Sequence, residues 1–315
     1  MRFGIVTDSC CDLPRSFLDE HGIVILPISI AGAGGKPFID GRDTEATLRF
    51  YRERLSKGDT TFESAPLQAE EIKKLFLEKL VVEYDYVFCI TVMSSRSQIF
   101  NNASQAALSM LSSYKPIREA AGVAGPFSLR VFDSYNLFPG QGLIVSEVAR
   151  LAAADRSSLE IIRQIERLQR TTQAFLMPEN LGQLRQQARR KGDKSVGLLS
   201  YMMGSALDIK PIVRGFQGDT TPVARVRGFE AGAKKLFDTA AEHIALGLDA
   251  PVVCVSYGGE VSRLEKMPGY RRLLEVAEAH EVRVLASEMS LTAGVNIGIG
   301  GLAIAFASPR EAVLE

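Results

Sequence analysis

Apolar residues run without a break through Val87, Phe88, Cys89 and Ile90 and stop at Thr91. A short apolar run bounded by polar residues predicts a fully buried strand of a parallel sheet. Past a hydroxyl cluster of Ser94, Ser95 and Ser97 the period changes, and Ile99, Ala103, Ala106, Ala107 and Met110 form one stripe at helical spacing. A strand that passes through a serine-rich turn into a helix N-terminus presents hydroxyls and unpaired backbone N–H groups together. That combination suits an anionic head group. Any one of these serines reads equally well as a helix N-cap, although three exceed the need of one helix.

The same patterns, followed along the chain, predict strands over Arg2 to Thr7, Val24 to Ile30, Ser128 to Phe132 and Thr172 to Leu176. Further strands are expected over Leu207 to Val213 and Pro222 to Val226, with a turn at Gln217-Gly218-Asp219, then Pro251 to Ser256, Val282 to Ala286 and Leu302 to Phe306. Helices are expected over Glu45 to Leu55, Ala69 to Leu80, Pro139 to Ala154 and Ser157 to Thr171. Glu179 to Arg190, Glu230 to Leu246 and Leu264 to His280 complete the helices, with Thr60 to Pro66 as a loop. A helix opens after Asp12-Leu13-Pro14, where Asp12 suits the cap and Pro14 the first turn. Strands and helices alternate early, and paired strands followed by helices come late, so the chain divides into an α/β domain and an α+β domain near residue 168.

Three early strands end in polar turns: Asp8-Ser9, Thr91 to Ser97 and Asp133-Ser134. Ligands of open α/β sheets lie at the carboxyl ends of strands, so these turns are expected to line one crevice. Loops of this kind are polar in any case, which is the plainer account.

The chain has 315 residues, with 37 basic and 37 acidic side chains. A formal charge of zero disfavours nucleic acid and anionic membranes as partners. Four cysteines form no CxxC pair, and Cys89 and Cys254 lie within apolar strands. The first strand starts at Arg2, leaving no room for a signal peptide, and no apolar run of about 20 residues marks a membrane span. A cytoplasmic protein is expected.

Candidate catalytic chemistry is thin. The three histidines, His21, His243 and His280, occupy surface or helix-end patterns, and no GxSxG elbow accompanies the serines. Metal-ligand spacings and a Walker loop are missing. Asp8 and Asp133 are best read as acceptors for turn N–H groups, with acid–base work as the alternative. What remains is a crevice of hydroxyls and glycines beside apolar residues, suited to a carboxylate with an apolar tail. The tail dominates such affinity: each buried methylene contributes about 0.8 kcal/mol, against about 1 kcal/mol net for a hydrogen bond.

Six segments in order, from residue 1 to about 308, resemble the DegV family. TDSCCDLP is similar to its TDSTxDLP opening, ESAPLQAEEI to its TSQPS loop and TVMSSRSQIFNNA to its SSxLSGTYQSA segment. VFDSYNLFPGQGLIV resembles its DS…GxG element, GSALDIKPIV with VARVRGFEAGAKKL its GxLLxIKPI…KVRxxKKA block, and NIGIGGLAIAF its HxGxGxLGLxF end. The resemblance implies an N-terminal three-layer α/β/α domain with a parallel sheet (residues 1–167). It also implies a C-terminal two-layer α+β domain with a mixed sheet (residues 168–315). A long-chain fatty acid would be held between them as ligand, with no cofactor or metal. It further implies a non-catalytic protein that presents the fatty acid's carboxyl group to a fatty acid kinase, for phospholipid synthesis. By position, Ser94, Ser97 and Ser64 fall on ligand-binding serines, Thr61 lies just upstream of the Ser64 loop, and Gly298 and Gly300 match the last glycine turn.

This chain departs from the pattern at several places. Asn296 replaces a carboxylate-binding histidine, Phe62 and Glu63 replace threonines, Gln98 replaces a glycine, and Lys191-Gly192-Asp193 replaces a GGR turn. Asn296 donates a hydrogen bond but carries no charge. Glu63 would repel a carboxylate if it faced the crevice. Two other readings therefore stay open: a serine-dependent acyl or phosphoryl hydrolase using Ser94 with Asp8 or Asp133, and a binder of another small molecule.

Overall fold

A computed structural model describes residues 1–32, 36–57, 62–180 and 208–314. The first strands are β1 (Phe3–Asp8), β2 (Val24–Leu26), β3 (Ile28–Ala31), β4 (Phe38–Asp40), β5 (Glu63–Pro66), β6 (Tyr86–Thr91) and β7 (Ser128–Asp133). They are followed by β8 (Thr172–Met177), β9 (Ile209–Phe216), β10 (Asp219–Arg227), β11 (Val252–Tyr257), β12 (Arg283–Glu288) and β13 (Leu302–Ala307). One sheet has the order β2-β1-β6-β7 and is parallel throughout. A second has the order β10-β9-β8-β13-β11-β12 and is mixed, because only β11 and β12 pair in parallel. A third, small sheet runs β4-β3-β5. The fold is mixed α/β, with one parallel and one mixed sheet.

Alternation along β6 explains the layering. Val87 and Cys89 face one way, into a core with Ile72 and Phe76 of the helix Ala69–Lys79 and Ile99, Ala103 and Ala106 of the helix Ile99–Ser109. Phe88 and Ile90 face the other way, onto Leu143, Ile144 and Val148 of the helix Pro139–Ala153. Both faces of the parallel sheet are thus covered, as its uninterrupted apolar run requires. The helix Pro139–Ala153 is buried on every side from Pro139 to Ala149. Its far side packs on the small residues Ala174, Cys254, Ala305 and Ala307 of the mixed sheet. The opposite face of that sheet is closed by Leu236, Phe237 and Ala240 of the helix Phe229–Leu246 and Leu273 and Ala277 of the helix Tyr270–Ala279.

Several sequence expectations change. The predicted strand Val24 to Ile30 breaks at Pro27, which lacks an N–H for the ladder, and β3 leaves the parallel sheet to pair with β4 and β5. The predicted loop Thr60 to Pro66 contains β5. The helix expected over Leu264 to His280 divides at Met267 to Gly269, where Gly269 has φ +88° and Tyr270 starts the second segment. A short helix, Tyr114–Ala120, was not signalled by the pattern. Asp12 caps no helix: Pro14 occupies that position, and the Asp12 carboxylate is buried elsewhere. Most of the expected helix Glu179 to Arg190, and the Lys191-Gly192-Asp193 turn, lie outside the described residues.

Candidate functional site

The sheet order makes β1, β6 and β7 neighbours, so their carboxyl-end turns meet. Side-chain carboxylates fasten those turns together. Asp8 is fully buried and accepts from Cys10 N at 2.9 Å, Val92 N at 2.7 Å and Gln141 Nε2 at 3.1 Å. Burial pushes its pKa up to about 6, against the pull of these three N–H donors. Asp133 accepts from Ser94 N at 3.0 Å and from Tyr135 N at 2.8 Å. The Ser134 amide donates to Thr91 O at 3.0 Å and the Met93 amide to Asn136 O at 2.9 Å. Asp8 and Asp133 therefore serve as acceptors for turn N–H groups.

The serines divide their work. Ser97, one residue before the N-cap Gln98, accepts the first helical amide, Ile99 N, on its Oγ at 3.2 Å. Ser95 Oγ donates to Gly218 O at 2.6 Å, and Arg96 reaches Thr220, so the β9–β10 turn is latched over this loop. Ser94 is half-buried and held through its backbone amide. Ser64 lies in β5 opposite Ile30 and is exposed. Phe62 before it is buried against Phe50 and near Phe38, while Glu63 is exposed. Thr61 lies outside the described residues.

The second polar cluster sits between the helix Leu291–Ile297 and β13. Asn296 Nδ2 donates to Thr292 O at 2.7 Å, one turn back on the same helix. Gly298 ends that helix with φ +97°, and Gly300 has φ +74°, conformations that glycine adopts without strain. The turn is laced to Gly258: Gly258 N donates to Gly301 O at 2.8 Å and Gly300 N to Gly258 O at 2.9 Å. A Cβ at Gly258 would stand 2.7 Å from Gly298 O, so the two backbones touch. Gly258 is legible in the sequence only through the Gly258-Gly259 pair directly after an apolar strand, a signal of close backbone approach. The sequence pattern does not single out Gln141, which donates to Thr7 Oγ1 as well as Asp8, or Asn136, which donates to Thr172 O at 2.9 Å.

Met93 and Ile99 flank the serine turn, Ile30 pairs with Ser64, and Val295 and Ile297 flank Asn296; all five belong to the same buried core cluster.

The three histidines have partners other than Ser94. His21 stacks on Phe17, and His280 Nδ1 lies 3.0 Å from Val276 O. His243 lies in the last turn of the helix Phe229–Leu246, as its pattern predicts, but is buried rather than at the surface, because it stacks on Phe306 and meets Ser308 Oγ at 2.9 Å. Among the described residues no three His, Cys, Asp or Glu side chains are placed to hold a metal ion. None of the described helices is long and apolar enough to cross a membrane.

Together these features define an α/β protein with one parallel sheet, one mixed sheet and one small antiparallel sheet. The chain belongs to the DegV family: the model of that family, described as "Uncharacterised protein, DegV family", matches residues 2–309. A DegV domain-containing protein of Xanthomonas axonopodis pv. citri is 47% identical over 312 residues, covering 99% of each chain. The solved fatty-acid-binding DegV family protein of Thermus thermophilus superposes with a TM-score of 0.75 at 20% identity, covering 98% of this chain and 100% of that one. A stearic-acid-binding protein of Eubacterium ventriosum does so with a TM-score of 0.73 at 18% identity, covering 97% and 98%.

Proposed function

We propose that this protein binds a long-chain fatty acid between an N-terminal domain, residues 1–167, and a C-terminal domain, residues 168–315. The observation that supports this reading is one buried apolar cluster containing Ile30, the register partner of Ser64, Met93 and Ile99 on either side of the Ser94 turn, and Val295 and Ile297, the chain neighbours of Asn296. Uncharged donors there receive the carboxylate, with Ser97 and Thr61 nearby in sequence and Gly298 and Gly300 shaping the backbone. The tail lies among apolar side chains, where each methylene contributes about 0.8 kcal/mol. Stearic acid is bound by the Eubacterium ventriosum protein of the same fold, which supports this ligand class. In this reading the protein itself performs no chemistry, since both oxygens of Asp8 and of Asp133 already accept N–H groups that hold the turns in place. Its partner is a cytoplasmic fatty acid kinase, to which it presents the carboxyl group for acyl-phosphate formation.

Denaturing mass spectrometry of the protein purified from cells tests the binding claim. A fatty acid near one equivalent is expected; a nucleotide or sugar phosphate without lipid would overturn it. Phosphoryl transfer to the bound acid by a kinase captured from the same cells tests the second claim.

A further inference from the structure

Behind the glycine turn, a group of buried polar atoms lacks protein partners. Asp12 is fully buried; its Oδ1 accepts from Ser290 N at 2.8 Å and faces Arg42 Nη1 at 3.5 Å, while its Oδ2 has no partner. Arg42 is also buried and spends Nη2 on Leu13 O at 3.1 Å and Glu288 O at 2.9 Å, leaving Nε unpaired. Ser256 and Ser287 are register partners on the parallel strands β11 and β12, both buried and both with unpaired hydroxyls. They share a strand face with Cys254 and Leu285, the face turned to the helix Pro139–Ala153. Ser287 directly precedes Glu288, whose carbonyl accepts Arg42 Nη2, and Ser256 precedes Tyr257, the register partner of Glu288, so both serines lie next to the strand ends that Arg42 grips. A donor (Nε), an acceptor (Oδ2) and two hydroxyls able to do either are thus buried without protein partners in residues joined by the Asp12–Arg42 contact, the Arg42–Glu288 bond and the β11–β12 register.

Buried polar atoms of this kind are satisfied in folded proteins by ordered water, which needs two to four polar neighbours. We propose that Asp12, Arg42, Ser256 and Ser287 wall an internal hydration site, where ordered water joins the loops after β1 and β4 to the carboxyl ends of β11 and β12. Water matches the mixed inventory, since it accepts from Nε while donating to Oδ2. A metal cation does not, because the guanidinium would stand beside it.

A crystal structure of the full chain, at a resolution that shows water, tests the assignment. Density within hydrogen-bond distance of Asp12 Oδ2 and Arg42 Nε, or of either and a serine hydroxyl, is expected. Direct pairing of Oδ2 and Nε with protein atoms, or a cation replaceable by rubidium at that place, would overturn it. In solution, oxygen-17 relaxation dispersion should report fewer long-lived waters in Ser287→Val than in the parent. An unchanged signal from a folded Ser287→Val protein would likewise overturn it.

Discussion

Asp12 and Ser290 stand 278 positions apart in the chain, yet the carboxylate of the first accepts the amide of the second at 2.8 Å. Arg42 completes the joint. It reaches back to Leu13 O and across to Glu288 O, with its own amide on Asp40 Oδ1 at 3.2 Å. Tyr51 adds a hydroxyl 2.7 Å from Met289 O. Residues that follow β1 and β4 are therefore fixed to those that follow β12 by charges and hydrogen bonds removed from solvent.

Removing one partner of a buried ion pair leaves the other uncompensated, a loss of about 3–5 kcal/mol. Arg42→Met should lower unfolding stability by that amount in urea titrations, because Asp12 and Asp40 both lose their cation. A change below about 1 kcal/mol would show that the joint is not a stabilising element.

Acid titration should carry the mark of Asp8 and Asp12. Burial raises both carboxyls from an ordinary 3.8 to about 6. Between those values the folded chain keeps protons that the unfolded chain has released, so their contribution falls as pH rises from 3.8 to about 6 and is level above it. Each would withdraw at most about 3 kcal/mol across that window. Asp85, held well below the usual carboxylate range chiefly by its bonds to Arg2, acts in the opposite sense and only at lower pH. Melting temperature against pH should thus decline less steeply between pH 4 and 6 in Asp8→Asn than in the parent, on a generally less stable background.

Backbone contact between Gly258 and the last glycine turn gives a third test. A methyl group at Gly258 would meet Gly298 O at 2.7 Å, backbone against backbone, so the turn must shift. Gly258→Ala should cost about 1–3 kcal/mol of stability by overpacking. Under the fatty acid reading it should also weaken ligand binding by about tenfold, measured by displacement of a fluorescent fatty acid. Equal affinity would separate the turn from the head group.

At the proposed carboxylate end, Ser94→Ala should raise the dissociation constant by roughly tenfold, the loss of one hydrogen bond to a charged acceptor. Asn296→His should keep or strengthen binding, because a histidine restores a donor that is able to carry charge. A clear loss of affinity in Asn296→His would show that position 296 does not face the ligand.

Much of the fold was legible because buried strands and amphipathic helices write their period into the chain. β6, the helix Ala69–Lys79 and the β9–β10 hairpin with its Gln217-Gly218 turn follow the pattern closely. β3 and β5 did not, since their pairing is fixed by Pro27 and by the distant Ile30–Ser64 register rather than by local alternation. The roles of Asp8 and Asp133 as turn acceptors could be read from their place at strand ends. Asp12 could not: its partners, Arg42 and Ser290, are neighbours only after both sheets have formed. His243 looked like a surface position because only the tertiary packing of Phe306 and Ser308 covers it.

β13 follows the other strands of its sheet in sequence but lies inside that sheet, with β8 on one side and β11 on the other. While a ribosome is still making residues 302–307, those two neighbours have no common partner, and each exposes a row of open backbone groups. The seam between them is set only when residues 302–307 have been added, so chains that stop short of that segment carry a sticky gap.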